Sequence, residues 1–345
     1  MRSIQANHCP LCGYVGWPLY KSQKDKLFGV LGVWNIFECT KLECKLLWLN
    51  PMPIVDDIFQ AYTNYYTHAV QNKTHLIEKI KVKKYIRSCY LSSKYGYCSS
   101  FQILPWLSSL LSSAMYLFPS KRSEADFSVM YLPAVDNGRL LEIGCGSGAM
   151  LKTMSDLGWK VEGVEVDPEG VVVARAKGLT VHWGDVYTRA YPDNSFDAVT
   201  LSHVIEHVHD PARLICECTR ILKPGGKLVV VTPNSKSLGH SIFKSSWLHL
   251  DPPRHLHIFN SRNLEHLACL SGLVITSNTT IIRDANTLFI ASHSIRKSGK
   301  YAWGSDGSVS TIIKILAKAL QLYEYFYLKI CPLRGEEIAL VATKE

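Results

Sequence analysis

Three observations predict an α/β protein whose parallel sheet is covered by helices on both sides. From Gly138 onward, apolar strand-like runs alternate with helix-like runs, the signature of parallel strands joined by crossover helices. The first strand-to-helix turn reads Glu142-Ile143-Gly144-Cys145-Gly146-Ser147-Gly148, with glycine at alternate positions. The 345-residue chain is 47% hydrophobic and 19% charged, which suits a large core and excludes a disordered chain.

The chain opens on Cys9-Pro-Leu-Cys12-Gly13, a tight knuckle, and Cys39 and Cys44 follow after a 26-residue gap. Four thiolates in two pairs can surround one zinc ion tetrahedrally and leave no position for water, so such an ion would be structural. The intervening Asp25–Glu38 reads as short strands of a ribbon, giving a module over residues 1–53. The alternative is two cysteine pairs without metal, since the Cys39–Cys44 spacing is wide and no glycine follows Cys44. The other cysteines sit mostly in apolar runs, and no long apolar leader precedes the knuckle. Both features point to a cytoplasmic protein, with contact at a membrane periphery left open.

Residues 54–132 read as a helical linker or lid. Asp56–Lys84 is mostly helical in pattern, with Tyr62, Tyr65, Tyr66 and His68 in a polar-aromatic patch. The apolar Phe101–Phe118 follows, then a charged turn at Pro119–Asp126 and a short helix at Phe127–Leu132. Phe101–Phe118 contains Pro105 and four serines, and Ile312–Ile330 contains Lys314, Lys318, Glu324 and Lys329. Neither is the uninterrupted apolar span that a bilayer core needs. The net charge of +9 fits an acidic small substrate, a nucleotide-bearing substrate, a membrane surface or nucleic acid without choosing among them. Apart from Lys79–Arg87 the basic residues are scattered, so a nucleic-acid face is the minority reading.

Residues 133–345 carry the sheet. Arg139–Ile143 is a strand, Ala149–Leu157 a helix, Val161–Val166 a strand and Pro168–Lys177 a helix. Thr180–His182 is a short strand before Gly184-Asp185, Phe196–Leu201 the next strand, and Pro211–Ile221 a helix. Lys227–Thr232 is a buried strand after Pro224-Gly225-Gly226, and Leu264–Leu270 and Leu273–Ile282 give a further helix and strand. In the first turn glycine permits sharp backbone geometry and lets a ligand approach the main chain. The loop lacks the spacing that dinucleotides prefer and the Gly-Lys-Ser/Thr ending of a triphosphate loop. Glu165, 17 residues beyond Gly148, sits where a carboxylate at a strand end can accept both ribose hydroxyls.

With these motifs the sequence resembles a class I S-adenosylmethionine-dependent methyltransferase. The resemblance implies a Rossmann-like seven-stranded sheet, and a cofactor whose methionine and ribose part is wrapped by Glu142, Gly144, Cys145, Gly146 and Gly148. It implies that Glu165, next to Val166, holds the ribose hydroxyls and that Asp185, next to Val186, faces the adenine amino group. Ser202 and His203, after the fourth strand, complete the implied cofactor set. Phe196-Asp197-Ala198-Val199 and Leu222-Lys223-Pro224-Gly225-Gly226 are similar to two further motifs of the family. Outside the sheet, the cysteine pairs, Trp48-Leu49-Asn50-Pro51, the Pro253–Phe259 segment and the ending Gly335–Lys344 resemble a subgroup with an N-terminal zinc ribbon. Its members often tailor sugars, cell-surface glycans or other small metabolites. A small-molecule, sugar-nucleotide or lipid-linked glycan acceptor therefore leads. Nucleic-acid methylation, or cofactor binding without turnover, stands as the alternative.

Methyl transfer from a sulfonium is an in-line displacement that needs an aligned acceptor and often a base. The eligible groups follow strands four and five: His203, Glu206, His207, His209, Asp210, Asn234, and His249, Asp251, Arg254, His255 and His257 from the long loop. His207 and His255 are the candidate bases, and Arg254 is placed to orient an anionic acceptor. A helical turn would set His203 beside His207 and Glu206 beside Asp210. A metal held by this cluster, or purely structural roles for His207 and His255, are the competing readings. Finally, Thr311–Cys331 is expected to be a helical insertion, at about residues 309–331. It puts Ile312, Ile315, Leu316, Ala319, Leu322, Phe326 and Ile330 on one stripe, with Lys314, Lys318 and Gln321 opposite. The stripe suits core packing, a homodimer contact, a substrate lid or a membrane surface.

Overall fold

The computed structural model describes residues 1–62, 77–98, 105–303 and 309–345. Tyr65, Tyr66 and His68 of the expected aromatic patch lie outside the described residues, as do the side chains of Lys79, Lys81 and Lys83. The chain divides into two compact units, each built from separate stretches. One comprises Met1–Tyr65, Ser202–Thr219 and Val230–Ala342; the other comprises Tyr66–Leu201, Arg220–Val229 and Thr343–Glu345. The division thus cuts across the sequential segments 1–53, 54–132 and 133–345.

In chain order the strands and helices begin with β1 (Ser3–Ile4), β2 (Gly16–Gln23), β3 (Trp34–Cys39), β4 (Leu47–Asn50) and β5 (Met52–Pro53), then a 3-10 turn at Ile58–Tyr62. Three helices follow, α1 (Ile77–Tyr95), α2 (Pro105–Ala114) and α3 (Pro119–Ser128). Next come β6 (Arg139–Ile143), α4 (Ala149–Asp156), β7 (Lys160–Glu165), α5 (Pro168–Ala176), β8 (Val181–Trp183), α6 (Val186–Arg189) and β9 (Phe196–Ser202). The remainder is α7 (Pro211–Ile221), β10 (Leu222–Pro233), α8 (Leu238–Phe243), β11 (His257–Ile258), α9 (Ser261–Leu270), β12 (Leu273–Ile281), α10 (Ala285–Ser298), α11 (Thr311–Tyr327) and β13 (Glu337–Lys344).

Seven strands form one sheet in the order β12-β13-β10-β9-β6-β7-β8. β6 pairs in parallel with β7 on one side and with β9 on the other. The chain winds outward from β6 through β7 to β8, then returns to β9 and winds the other way. That reversal is a topological switch point, and in open α/β sheets ligands bind outside the carboxyl ends of the strands there. The inner strands read as continuous apolar runs because both faces are covered: Leu140, Leu141, Val199, Leu201, Leu228 and Val229 are fully buried.

The expected charged turn at Pro119–Asp126 is instead helix α3, and the expected helix at Phe127–Leu132 is mostly the turn that ends it. Pro119 stands at the first helical position, where its missing N–H costs nothing. Asp126, which looks like a surface charge in the sequence, is buried. Its Oδ1 accepts from the Tyr90 and Tyr95 hydroxyls and from Lys94, at 2.8, 2.9 and 2.9 Å.

The cysteine ribbon is part of a four-stranded sheet, order β11-β4-β3-β2, whose fourth strand comes from residues 257–258. His257 and Ile258 pair antiparallel with Trp48 and Leu47. Just beyond, Asn260 caps α9 by accepting from the N–H groups of Arg262 and Asn263, both at 3.1 Å, and its amide donates to the Cys44 carbonyl at 2.8 Å. A cap of this kind contributes about 0.5–2 kcal/mol, and the bridge to Cys44 adds a further buried hydrogen bond. Asn260→Ala is therefore expected to lower the unfolding free energy by about 1–3 kcal/mol, measured by urea titration. An unchanged midpoint would mean that the cap does not join these two segments in solution.

Candidate functional site

The glycine loop joins β6 to α4, and its three glycines serve different ends. Gly144, Gly146 and Gly148 have φ of 71°, 51° and 72°, in the left-handed region that favours glycine. A Cβ on Gly148 would lie 2.5 Å from Leu179 Cδ1 and 3.0 Å from Ala174 Cβ, so this glycine lets the loop pack on α5. A Cβ on Gly146 would meet nothing within 4 Å, so the loop is open on that side. Glu165, at the end of β7, accepts from the Gly146 N–H at 2.6 Å and from the Asp167 N–H at 2.9 Å. It thereby fixes the loop and still has lone pairs for further donors.

Glu142 is buried and its Oε2 has no partner. Burial pushes its pKa up to about 8, with the Glu165 charge adding to the effect. Cys145 and Val186 are buried, Val166 is exposed, and Asp185 caps α6 by accepting from the Thr188 N–H at 2.7 Å. The residues that the resemblance assigns to S-adenosylmethionine fit such a ligand on two counts. The loop has an open side at Gly146, and a buried carboxyl oxygen of Glu142 faces no partner.

A histidine–carboxylate cluster starts at the end of β9. His203 has φ of 54°, a strained conformation for a non-glycine residue, of the kind that gathers at functional sites. It is held there because its ring bridges two buried carboxylates, Nδ1 to Glu206 at 3.1 Å and Nε2 to Glu337 at 3.0 Å. Burial alone would lower its pKa, but the bonds to Glu206 and Glu337 and their charges raise it to about 10. Both carboxyls, which burial alone would raise, are held down at about 2, Glu206 mainly by His203 and Glu337 mainly by Arg283 and His203. The cluster thus holds an imidazolium between two carboxylates, and neither ring nitrogen of His203 is spare.

His207 is the opposite case. Its Nδ1 lies 3.0 Å from the Arg254 carbonyl and 3.0 Å from the Tyr62 hydroxyl. A carbonyl only accepts, so Nδ1 carries the hydrogen and the Nε2 lone pair is bare in the neutral ring. Burial and the neighbouring His255 push its pKa down to about 4. His255 donates from Nδ1 to the His249 carbonyl at 2.7 Å, with its ring centroid 4.8 Å from that of His207. The expected pairing of His203 with His207 on one helical turn does not form. The turn is only Ile205–His207, and His203 stands outside it facing Glu206. Glu206, His207 and His255 bring ligand-capable atoms within 4.8 Å of one another. The Glu206 oxygens are already engaged, by His203 and by the Thr232 hydroxyl at 2.9 Å.

Arg254 does not take the role expected of it. The guanidinium is fully buried and each of its five N–H groups has an acceptor. Nε and one Nη2 hydrogen go to Asp251, the other Nη2 hydrogen and one Nη1 hydrogen to Asp25 at 2.8 and 3.0 Å, and the last to the Ala61 carbonyl at 3.2 Å. No donor remains to orient an anionic acceptor, so Arg254 is a positioning residue whose carbonyl holds His207. Sequence reasoning missed Asp25, Glu337 and Thr232. Asp25 gave no local signal, since its partner lies 229 residues away. Glu337 was visible as a charge inside an otherwise apolar strand.

The four cysteine sulfurs also lie within 4.8 Å of one another, with Cys9–Cys44 at 3.7 Å and Cys12–Cys39 at 3.4 Å. These separations are far beyond a disulfide bond. A tetrahedral zinc site with metal–sulfur distances of about 2.3 Å has edges of about 3.8 Å, so the donor set fits a structural zinc ion.

Residues 120–278 match a family model described as a methyltransferase domain. The chain is 42% identical over 103 residues to a ubiquinone biosynthesis O-methyltransferase of Xanthomonas oryzae pv. oryzae, covering 28% of this chain and 43% of that protein. It is 35% identical over 127 residues to an enzyme of the same name from Cereibacter sphaeroides, covering 34% of this chain and 51% of that protein. The chain therefore spans about half the length of the curated relatives it matches. Among solved structures it is similar to phosphoethanolamine N-methyltransferase 2 of Haemonchus contortus in complex with S-adenosyl-L-methionine. That similarity has a TM-score of 0.46 and 18% identity, over 86% of this chain and 62% of that one.

Two expectations follow. Glu165→Ala removes the carboxylate that pins the glycine loop, and Gly146→Val fills its open side. Calorimetry should show S-adenosylmethionine affinity falling by roughly tenfold or more in each, a loss of about 1.5–3 kcal/mol for the first; unchanged affinity in both would place the cofactor elsewhere. For the cysteine cluster, elemental analysis should find about one zinc per chain. Cys12→Ser should lose the ion and broaden the amide signals of residues 47–50 together with 257–258, because those segments share a sheet. A metal content below half an equivalent in the unmodified protein would overturn the zinc assignment.

Proposed function

We propose, from the premise that the sheet of this chain has the class I S-adenosylmethionine-dependent methyltransferase fold, that it transfers a methyl group to an acidic hydroxyl of a small-molecule acceptor. The observation that carries the reading is the glycine loop at the switch point, open at Gly146 and backed by Glu165 and the unpartnered oxygen of Glu142. S-adenosylmethionine, when bound, supplies an electrophilic methyl on a sulfonium. Glu142, Gly144, Cys145, Gly146 and Gly148 would wrap its methionine and ribose part, Glu165 its ribose hydroxyls, and Asp185 its adenine. Ser202 opens the segment that carries the histidines.

The chain's own chemistry is proton removal. His207 is the base in this reading, with its bare Nε2 fixed by the Arg254 carbonyl, and His255 stands beside it as a second acceptor. A base whose pKa lies at about 4 is selective about what it deprotonates. Against a phenol of pKa about 10 the mismatch is about 6 units, or about 8 kcal/mol. Against an aliphatic alcohol near the pKa of water, about 16, it is about 12 units, or about 16 kcal/mol. The weak base therefore favours a phenolic, catechol-like or enolic hydroxyl over an unactivated sugar hydroxyl. The curated relatives, named for ubiquinone biosynthesis, point to the same acceptor class. Sugar-nucleotide and lipid-linked glycan acceptors remain the second reading, carried by the resemblance of the ribbon and of the Pro253–Phe259 segment to the subgroup.

Labelled methyl donor offered with parallel panels of catechols, phenols and nucleotide sugars tests the reading, with turnover expected among the catechols. Turnover confined to the sugar panel would overturn the acceptor class. The pH profile tests the base. A base must be unprotonated, so rate falls as pH falls through its pKa. With His207 at about 4, kcat/KM should stay level from pH 8 down to about 5, within the range where the protein stays folded. An acid limb centred near the ordinary histidine value of about 6.5 would overturn His207 as the base. His207→Ala should lower kcat by about 100-fold or more while leaving cofactor affinity intact.

A further inference from the structure

Helix α11 turns its apolar stripe outward. Ala317 and Glu324 are its buried positions, and the Gln321 amide donates to the Ile282 carbonyl at 2.9 Å. Ile312, Ile315, Leu316, Leu322, Phe326 and Ile330, expected to pack inward, are instead 52–80% exposed. The core-packing reading of the stripe therefore falls. The inward face is the narrower one, and the large side chains have no cover among the described residues.

We propose that α11 and its continuation to Ile330 form an interfacial helix that rests on an anionic lipid surface. Charge selects this occupant. The helix and its continuation carry Lys314, Lys318 and Lys329, and their one acid, Glu324, is buried. Lys314 lies on the Gln321 side of the helix, but Lys318 and Lys329 are exposed along the edge of the outward stripe, which has no exposed carboxylate of its own, the division of labour of a helix lying at a headgroup boundary. Lys329 lies 5.2 and 5.4 Å from the ring centres of Tyr325 and Phe326, and Tyr323 and Tyr327 stack at 5.9 Å. Such amphipathic side chains suit a boundary between apolar and wet phases. A second copy is a poorer occupant, because two such faces would bring the flanking Lys318 and Lys329 of both copies together without a compensating acid. With 17 residues the helix is about 25 Å long and would lie flat; no described helix is long and apolar enough to cross a membrane.

Vesicle flotation of the full chain tests this. The protein should float with vesicles of phosphatidylcholine mixed with phosphatidylglycerol, stay behind with phosphatidylcholine alone, and be released as salt is raised. Lys318→Gln and Lys329→Gln should each weaken partitioning by about fivefold. The pair Leu316→Asp and Phe326→Asp should abolish it, while the melting temperature and cofactor affinity hold because both positions are exposed. Equal binding to both vesicle types would overturn the anionic surface, and absence of vesicle binding would overturn the proposal outright. A dimer in sedimentation that Leu316→Asp dissociates, with no flotation, would assign the face to a second copy instead. If Leu316→Asp fails to fold, the lysine variants and the unmodified protein on the two vesicle types still decide the question.

Discussion

The buried guanidinium of Arg254 is the constraint on which the histidine cluster depends. Its five hydrogens meet five acceptors, from Asp25 in the ribbon, Ala61 in the 3-10 turn and Asp251 in its own loop. A buried ion pair is a weak stabiliser when complete, but removing one partner leaves an uncompensated charge and costs about 3–5 kcal/mol. The arrangement therefore works as a specification of geometry more than as a source of stability. Three segments far apart in sequence must arrive together for any one of them to be tolerated. Once they do, the Arg254 carbonyl is fixed, and with it the tautomer and aim of His207.

The same few residues show how one cluster can hold imidazoles in opposite protonation states. His203 touches two carboxylates and is a cation at any physiological pH. His207 meets a carbonyl, a hydroxyl and another imidazole, and is neutral. His249, buried beside the His203 cation, is pushed further down, to about 3. The two carboxylates, Glu206 and Glu337, are balanced by two cations, His203 and Arg283. Environments that drive like residues apart in this way are the mark of divided acid–base roles.

Much of this was legible in the sequence. Periodicity and turn chemistry located the strands from β6 to β9 to within a residue or so, because each is a short apolar run bounded by glycine, proline or a cap, whereas β10 starts at Leu222 and runs through the expected Pro224-Gly225-Gly226 turn. The glycine loop, Glu165 and the cysteine quartet were legible for the same reason, their chemistry being written locally. What the sequence did not disclose is set at long range. The i,i+4 rule paired His203 with His207, but the positive φ of His203 takes it off the helical turn. Arg254 read as a substrate clamp because its partner Asp25 is 229 residues away. The stripe on α11 was read correctly as a stripe, but an amphipathic pattern does not say which face is the inner one. Helix α10 was overlooked although Ala285, Leu288, Phe289, Ser292 and Ile295 recur at helical spacing before Gly299.

The two-residue strand β11 has a consequence for how the molecule comes into being. The ribbon sheet gains its fourth strand only from His257 and Ile258, which pair with Trp48 and Leu47. A growing chain extends at about 5–20 residues per second. Roughly 200 residues must be added after β4 before β11 exists, so for about 10–40 seconds the nascent ribbon has its four thiols but not its closing strand. During that interval the cysteines are at their most accessible to metal donors and to oxidants alike.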